Sequence, residues 1–281
     1  PPQPATPTAA VTASAQQIKV FRMDLPFMDH RDASPLAPRG GAEHRTRVHS
    51  WPSAPNRFAS MPNTDLALAV LGTHGGVGMA VASGLRREGY EAVDVDDRNL
   101  DTGVSIAAAI RDTAPSGVAA VIDAGFFLEP PALGALALTD TDTWQRHAEQ
   151  PLRRALHVLQ AGHICLRENG GRIVVLLPSL IMSGAAEVVA WAAAAEGYRS
   201  LVKAAARAWG ADGVTIKSVL IPASLAADAA VDRPGLQPPA LGHVPDLSAD
   251  IAPVVAALLD ERLDAVTGLT LAVDGGVWMT S

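Results

Sequence analysis

An α/β fold, with one parallel sheet covered by helices on both faces, is the architecture that this sequence predicts. Short apolar runs alternate with longer segments of helical spacing from residue 64 onward, which is typical of strand–helix–strand units. One run, Arg172 to Leu177, is almost entirely apolar and β-branched, as a central parallel strand buried on both faces should be. Because 48% of the 281 residues are hydrophobic, the chain can also bury the core that such a sheet requires.

Six strands and five helices follow from the hydrophobic spacing along the chain. The strands are short runs rich in Val, Ile and Leu, and the helices carry apolar residues every three or four positions. The predicted strands are Asp65 to Leu71, Glu91 to Val95, Val118 to Ile122, Arg172 to Leu177, Thr215 to Ile221 and Thr270 to Val273. The predicted helices are Met79 to Glu88, Ser105 to Thr113, Thr143 to Glu168, Glu187 to Trp209 and Ile251 to Leu259. The segment Leu225 to Ala249 is rich in proline and is predicted to be irregular.

Residues 1–62 form a proline-rich extension that differs in composition from the single domain predicted for residues 63–281. The extension holds ten of the 21 prolines and a net charge of +3, whereas the rest of the chain carries −10. Its opening 16 residues are Pro, Ala, Thr, Val, Ser and Gln, which predicts an irregular or polyproline-like arm. We interpret the extension as a tail without chemistry, with a partner-docking arm as the alternative, and Met61 as a plausible natural start.

Charge, apolar run length and cysteine content exclude several classes of function. The net charge of −7 argues against sequence-independent binding to the phosphates of nucleic acid. The longest apolar runs have about eight residues, whereas a membrane-spanning helix needs about 20, so no membrane partner is expected. A single cysteine, Cys165, excludes an intramolecular disulfide and a cysteine-rich metal site, and no metal ligands are predicted. The lone thiol fits a reducing compartment, and we expect a cytoplasmic protein.

A glycine-rich turn joins the first predicted strand to the first predicted helix. Its sequence, Leu-Gly-Thr-His-Gly-Gly-Val-Gly, occupies residues 71–78. Glycines let the backbone of such a turn approach a pyrophosphate, which binds at the helix N-terminus. The second strand ends near Asp96, where a carboxylate can accept hydrogen bonds from ribose hydroxyls. The pattern predicts nucleotide binding, and the absence of Lys and Arg from the turn favours NAD over NADP.

The spacing Gly72-x-x-x-Gly76-x-Gly78 followed by Asp96 resembles that of the short-chain dehydrogenase/reductase superfamily. Three further stretches agree in order: residues 120–125 resemble the family's Asn-Asn-Ala-Gly strand end, residues 171–176 the strand before its catalytic serine, and residues 267–276 its C-terminal signature. The resemblance implies a Rossmann-like doubly wound sheet that binds NAD(H). The cofactor-binding positions that it implies are Gly72, Gly76, Val77, Gly78, Asp96, Asp101, Ala124 and Gly125.

The catalytic residues that the resemblance calls for are replaced in this sequence. The family uses Tyr-x-x-x-Lys on the long helix after the central strand, where the Lys charge lowers the pKa of the Tyr that transfers the proton. Here the two positions hold Trp191 and Ala195. The family's catalytic Ser and Asn positions correspond to Pro178 and Pro151. The resemblance therefore implies a catalytically degenerate member.

Two residues near the degenerate positions are candidate substitutes for the missing acid. Ser179 lies one position from the expected serine, and Tyr198 lies about two helical turns beyond Trp191. Histidines of the preceding helix could titrate near neutral pH. We interpret them as surface or interface residues rather than catalytic ones: His147, His157 and His163.

Three functional hypotheses remain open at this point. The first is a noncatalytic structural or regulatory subunit of an oxidoreductase complex, in which NAD(H) binds weakly or only as a vestige. Its partner would be a catalytically intact member of the superfamily, or a second copy, packed against the helices at residues 143–168 and 187–209. The second is an NAD(H)-dependent oxidoreductase that acts on a carbonyl or hydroxyl substrate with a non-standard acid. The third is an NAD(H)-sensing binding protein.

Overall fold

A six-stranded parallel sheet forms the centre of the domain, as the sequence predicts. The computed structural model describes residues 66–184, 186–225 and 238–279. The predicted extension, residues 1–62, and residues 226–237 of the proline-rich segment lie outside the described residues. The strands are β1 (Ala67–Leu71), β2 (Ala92–Asp94), β3 (Val118–Asp123), β4 (Gly171–Pro178), β5 (Val214–Ile221) and β6 (Thr270–Ala272). Their order across the sheet is β2-β1-β3-β4-β5-β6.

Helices follow most strands, and each predicted helix is present. Within the described ranges the α-helices are α1 (Gly76–Arg87), α2 (Gly103–Thr113), α3 (Thr141–Trp144), α4 (Gln150–Leu166), α5 (Val189–Trp209) and α6 (Ala252–Leu258). The long helix predicted after β3 is therefore built from α3, α4 and a π-helical stretch between them. Across the same ranges, no helix has the length and apolar character needed to cross a membrane.

Both π-helical stretches of the described chain stand immediately before a proline-containing helix. Gln145–Glu149 leads into α4, whose second residue is Pro151, and Leu247–Ile251 leads into α6, whose second residue is Pro253. A proline inside a helix cannot donate to the carbonyl four residues earlier, and its ring crowds that carbonyl. A wider turn before the proline relieves this conflict, so the chain keeps its helical direction through both sites.

The crevice that a doubly wound sheet offers to ligands lies between β1 and β3. The chain runs from β1 outward to β2 and then returns to the other side of β1, so the strand order reverses at this point. The carboxyl ends are aligned there, with Leu71 opposite Asp123 and Asp123 opposite Val175. Every residue of β5 and most of β4 are buried, which fixes these ends on a rigid sheet.

Candidate functional site

The glycine turn after β1 packs directly on the turn after β3. A Cβ added to Gly72, whose φ is +76°, would lie 2.6 Å from the backbone N and Cα of Gly125. A Cβ added to Gly78 would lie 2.4 Å from the Gly72 carbonyl oxygen. These glycines are therefore required for close approach of the two turns and of α1, which begins at Gly76, to β1. Gly72 and Gly78, two of the predicted cofactor-binding glycines, thus have a packing role in this chain.

A buried charged cluster lies at the same crevice, and we name it the Arg154 cluster: Asp97, Asp123, Arg154 and Tyr198. The Arg154 guanidinium donates to Asp97 Oδ2 at 2.5 Å and to Asp123 Oδ1 at 2.9 Å. The Tyr198 hydroxyl donates to Asp123 Oδ2 at 2.8 Å. The side chains of Asp97 and Asp123 are 1% and 0% exposed, so both carboxylates depend on protein donors.

Backbone donors complete the Arg154 cluster and join it to the glycine turns. The Gly72 N–H donates to Asp97 Oδ1 at 3.2 Å, and the Gly125 N–H donates to Asp123 Oδ1 at 3.0 Å. The cluster therefore connects the turn after β1, the segment after β2, the end of β3, and helices α4 and α5. His74 of the glycine turn adds a partly exposed contact, with Nδ1 3.6 Å from Asp97 Oδ1.

Charges within the cluster hold Arg154 and Tyr198 in fixed protonation states. Burial acts to lower the pKa of Arg154, but the charges of Asp123 and Asp97 outweigh it and raise the pKa, so the guanidinium stays charged. Burial and then the charge of Asp123 raise the pKa of Tyr198 well above its ordinary value. Tyr198 is therefore a neutral hydrogen-bond donor, and it is not tuned to release a proton near neutral pH.

The Arg154 guanidinium fills the space next to Gly125, a residue that the resemblance implies in cofactor binding. A Cβ at Gly125 would lie 2.0 Å from Nη2 and 2.2 Å from Cζ of Arg154. The missing side chain of Gly125 thus makes room for an arginine of the same chain. A nucleotide bound at Gly125, as the resemblance implies, would compete with the Arg154 guanidinium for the same space.

A cavity of about 530 Å³ lies beside the Arg154 cluster. The segment after β2 forms one wall, which includes the predicted residue Asp101, and Gly125 also lines the cavity. A second wall is one face of the helical segment that leads into and includes α4. The polar residues of that face are Arg146, Gln150, Arg153, Arg154 and His157.

Asp96, predicted to bind ribose, lies next to this cavity with a largely exposed side chain. It forms a bidentate pair with Arg98, with oxygen–nitrogen distances of 2.8 and 2.6 Å. The hydrogen bonds from Arg98 lower the pKa of Asp96 to about 2, so the carboxylate is charged at neutral pH. The carboxylate that lies inside the crevice is its neighbour, Asp97.

An aromatic cluster surrounds Trp191, the residue that the resemblance aligns with the family's proton donor. Trp191 is 2% exposed and contacts the rings of Phe126 and Phe127, with centroid distances of 5.2 and 6.1 Å. The Trp191 indole N–H is buried without a hydrogen-bond partner among the described residues. Ala195, at the Lys position, is fully buried. The predicted degenerate positions Trp191 and Ala195 are thus part of the apolar core.

The two candidate substitutes are buried as well. Ser179 begins a short 3-10 turn after β4, and Tyr198 has its hydroxyl bound to Asp123. His147, interpreted from sequence as a surface or interface residue, is 9% exposed, so a surface position is wrong for it. Its π-helical turn packs against α5 and brings the ring inside.

Sequence reasoning missed Asp97, Asp123 and Arg154 as a group. A signal for Arg154 was present, because it lies four residues before Val158 and seven before Ala161, both of which face the core. A charged residue on the buried side of a helix requires a partner. The partners could not be identified from spacing, because they lie 31 and 57 residues away along the chain.

Comparisons with known proteins agree with the fold. Residues 80–278 match the family described as "Enoyl-(Acyl carrier protein) reductase". The TT0495 protein from Thermus thermophilus is 19% identical, with a TM-score of 0.64, over 76% of this chain and 98% of that chain. Sorbitol-6-phosphate 2-dehydrogenase SrlD from Erwinia amylovora is 14% identical, with a TM-score of 0.65, over 76% of this chain and 100% of that chain. At these identities the two structures show the fold alone.

A comparison with curated proteins found no match. Among the described residues, no group of three or more His, Cys, Asp or Glu side chains is arranged to hold a metal ion.

Proposed function

Since this chain belongs to the short-chain dehydrogenase/reductase superfamily, we propose that it is a noncatalytic subunit of an oxidoreductase complex. Its partner is a catalytically intact member of the same superfamily, and its role is structural or regulatory. The observation that carries the proposal is the buried aromatic cluster around Trp191, which fills the proton donor's position with core packing. An indole N–H cannot titrate near neutral pH, so general acid catalysis at this position is lost.

The state of Tyr198 supports the same proposal. A substitute acid must reach the substrate and have a pKa near the working pH. Tyr198 is buried, its hydroxyl donates to Asp123, and its pKa is raised well above the ordinary value by burial and by that charge. Tyr198 therefore holds the Arg154 cluster together, and it does not serve as the acid of an unconventional oxidoreductase.

Members of the superfamily generally bind NAD(P)(H), and the residues of this chain fit such a dinucleotide only in part. The glycine turn and the exposed Asp96 are suited to it. The guanidinium of Arg154, however, lies in contact with Gly125 and is bound to two buried carboxylates. A dinucleotide lying over Gly125 would have to displace this group, so in our proposal NAD(H) binding is weak or vestigial.

The partner surface in this proposal is the outer face of the helices within residues 143–168 and 187–209. Leu156 of α4 is 42% exposed, and the Trp144 side chain just before α4 is 38% exposed. Gly197 of α5 does not offer a site of close approach to a partner, because Leu152 of α4 lies 2.9 Å from its Cβ position. The exposed apolar side chains of Trp144, the last residue of α3, and of Leu156 in α4 therefore favour a partner contact.

Native mass spectrometry of the complex purified from its natural host tests the proposal. We expect a hetero-oligomer that contains a second subunit with an intact Tyr-x-x-x-Lys pair. The isolated chain should show no substrate-dependent NADH turnover. In the reconstituted complex, Tyr198→Phe should leave kcat unchanged, with Tyr90→Phe as a surface control. A homo-oligomer with turnover that Tyr198→Phe abolishes would contradict the proposal and support the unconventional enzyme.

A further inference from the structure

We propose that the cavity beside the Arg154 cluster binds a small phosphomonoester with a hydroxyl-rich body, and not a whole dinucleotide. Nucleoside monophosphates and sugar phosphates share this chemistry. The inference goes beyond the noncatalytic role proposed above, because it concerns the ligand of the cavity and not the partner of the chain.

The cationic wall of the cavity is the first argument. Arg146, Arg153 and His157 lie at helical intervals on one face of the segment through α4, and all of them line the cavity. Neither Arg146 nor Arg153 forms a hydrogen bond or a salt bridge with another described residue, so both guanidinium groups keep their donors for a ligand. The planar fork of a guanidinium matches two phosphate oxygens at once. Two such groups on one wall favour a doubly charged terminal phosphate.

The other residues that line the cavity indicate which chemical groups the rest of the ligand carries. Asp101 and Glu129 line the cavity with exposed side chains that make no hydrogen bond to another described residue. Ionised carboxylates accept hydrogen bonds, and ribose or sugar hydroxyls are suitable donors. Leu100, Phe126 and Leu128 supply apolar surface. The cavity therefore offers a phosphate site on the α4 wall and hydroxyl acceptors on the rest of its lining.

The volume of the cavity, and the residues that close it near Gly125, limit the size of the ligand. Its volume of about 530 Å³ lies within the range of about 300–1,000 Å³ that is typical of small-molecule sites. Toward the position of the missing catalytic residues, the Arg154 guanidinium lies on Gly125 and the ring of Phe126 packs on buried Trp191. A ligand that ends before Gly125 leaves both features undisturbed. A dinucleotide that continues past Gly125 would break the contacts of Arg154 with its two carboxylates.

Isothermal titration of the full chain tests the inference with five probes: AMP, ribose 5-phosphate, inorganic phosphate, adenosine and NAD. We expect AMP or ribose 5-phosphate to bind at least about tenfold more tightly than NAD, adenosine and inorganic phosphate. If AMP binds more tightly than ribose 5-phosphate, the ligand is identified as a nucleoside monophosphate. If ribose 5-phosphate binds as tightly as AMP or more tightly, the ligand is identified as a sugar phosphate. The inference would be overturned if NAD or inorganic phosphate bound as tightly as both phosphomonoesters. It would also be overturned if neither phosphomonoester bound at millimolar concentration.

A double variant assigns the phosphate contacts. Arg146→Gln with Arg153→Gln should weaken phosphomonoester binding about tenfold or more, since hydrogen bonds to charged groups are among the strongest in proteins. Arg207→Gln, in the exposed last turn of α5, is the matched control for a lost charge and should bind as the parent does. Unchanged affinity in the double variant would contradict the assignment. Neither result depends on subunit composition or turnover, which test the noncatalytic role separately.

Discussion

At the scale of single residues, Arg154 decides what the nucleotide crevice can do. Its guanidinium forms ion pairs with two carboxylates that are almost completely buried, and it fills the space beside Gly125. Two buried carboxylates and one arginine leave a net negative charge in the cluster, so the hydroxyl of Tyr198 and the backbone donors are needed to satisfy the remaining oxygens. The residue thus has a structural role in a position that faces the cavity.

We expect Arg154→Met to lower the free energy of unfolding by about 3–5 kcal/mol, because it leaves Asp97 and Asp123 buried without their cation. Urea unfolding at neutral pH measures the change. Arg98→Met is the control, since Arg98 and its partner Asp96 have side chains that are 61% and 62% exposed. An exposed pair contributes little, so the control should unfold at nearly the same urea concentration as the parent. A small effect of Arg154→Met would show that water solvates the cluster.

Lys217 gives a stability difference that depends on pH. It is buried in β5, and this burial lowers its pKa below the ordinary value. Between the lowered folded pKa and the unfolded value of about 10.4, the unfolded state binds more protons, so the stability of the parent rises with pH. Lys217→Met lacks this rise in stability with pH, because methionine has no proton to release. The stability of the parent relative to Lys217→Met should therefore increase from about pH 7 to about pH 10 in urea unfolding.

The control for that comparison is Lys203→Met, at an exposed position of α5. This variant removes a lysine charge without removing a buried group. Removing Lys217 also removes hydrogen bonds from Nζ to Thr215 Oγ1 and to the Leu258 carbonyl at 3.2 and 3.3 Å. That loss changes the absolute stability of the variant, so the pH dependence of the difference is the informative quantity. A difference that does not change with pH would contradict the assignment.

At the scale of elements, the turn between β1 and α1 illustrates two kinds of glycine. Gly72 has a φ of +76° and a Cβ position in contact with the backbone of Gly125, whereas Gly76 has open space around its Cβ position. Gly76 is also the first residue of α1, so its backbone is already helical. The family motif contains both glycines, but only Gly72 of the two is required by packing in this structure.

Gly72→Ala should lower the free energy of unfolding by more than about 2 kcal/mol, since left-handed backbone costs a residue with a Cβ about 1–2 kcal/mol and the clash adds to this. Gly76→Ala should change it by no more than about 1 kcal/mol, in the stabilising direction, because alanine favours helix more than glycine does. Thermal unfolding of the two variants side by side checks the contrast. Equal destabilisation by both would indicate that the turn is constrained along its whole length.

At the scale of the whole molecule, the sheet and its helices account for the buried core. The described strands and α-helices run from Ala67 to Ala272, and one cluster of buried side chains connects β1 to β5 with the helices on both faces. Arg172 of β4 and Asp264, just before β6, form a partly buried bidentate pair at 2.8 and 2.7 Å. This pair fixes the C-terminal segment to the sheet.

A chain that lacks residues 1–62 should keep the unfolding free energy of the full chain to within about 1 kcal/mol, because the core of the described residues is built from strands and helices that begin at Ala67. Urea unfolding of the two chains measures the difference. A chain that lacks residues 1–68 and so loses the start of β1 is a useful comparison, and it should be less stable. A large loss on removing residues 1–62 alone would place part of the core in the extension.

The sequence by itself determined the fold class, the order of the elements and the position of the crevice. Each predicted strand is present within one or two residues at most ends, because an uninterrupted Val, Ile and Leu run such as that of β4 has few alternatives to a buried parallel strand. The glycine turn was also located at the crevice, since a strand, a glycine turn and a helix are local features. The carboxylate inside the crevice is Asp97, however, and not the predicted Asp96, whose side chain is largely exposed.

Only the tertiary structure decided which side chains meet at the crevice. Asp97, Asp123, Arg154 and Tyr198 come from four parts of the chain, and Arg154 is 57 residues from one of its partners, so no local pattern joins them. The burial of Trp191 against Phe126 likewise joins residues that are distant along the chain and arises from tertiary packing. Hydrophobic periodicity determines which face of an element is buried, whereas the pairing of buried charges depends on which faces meet in space.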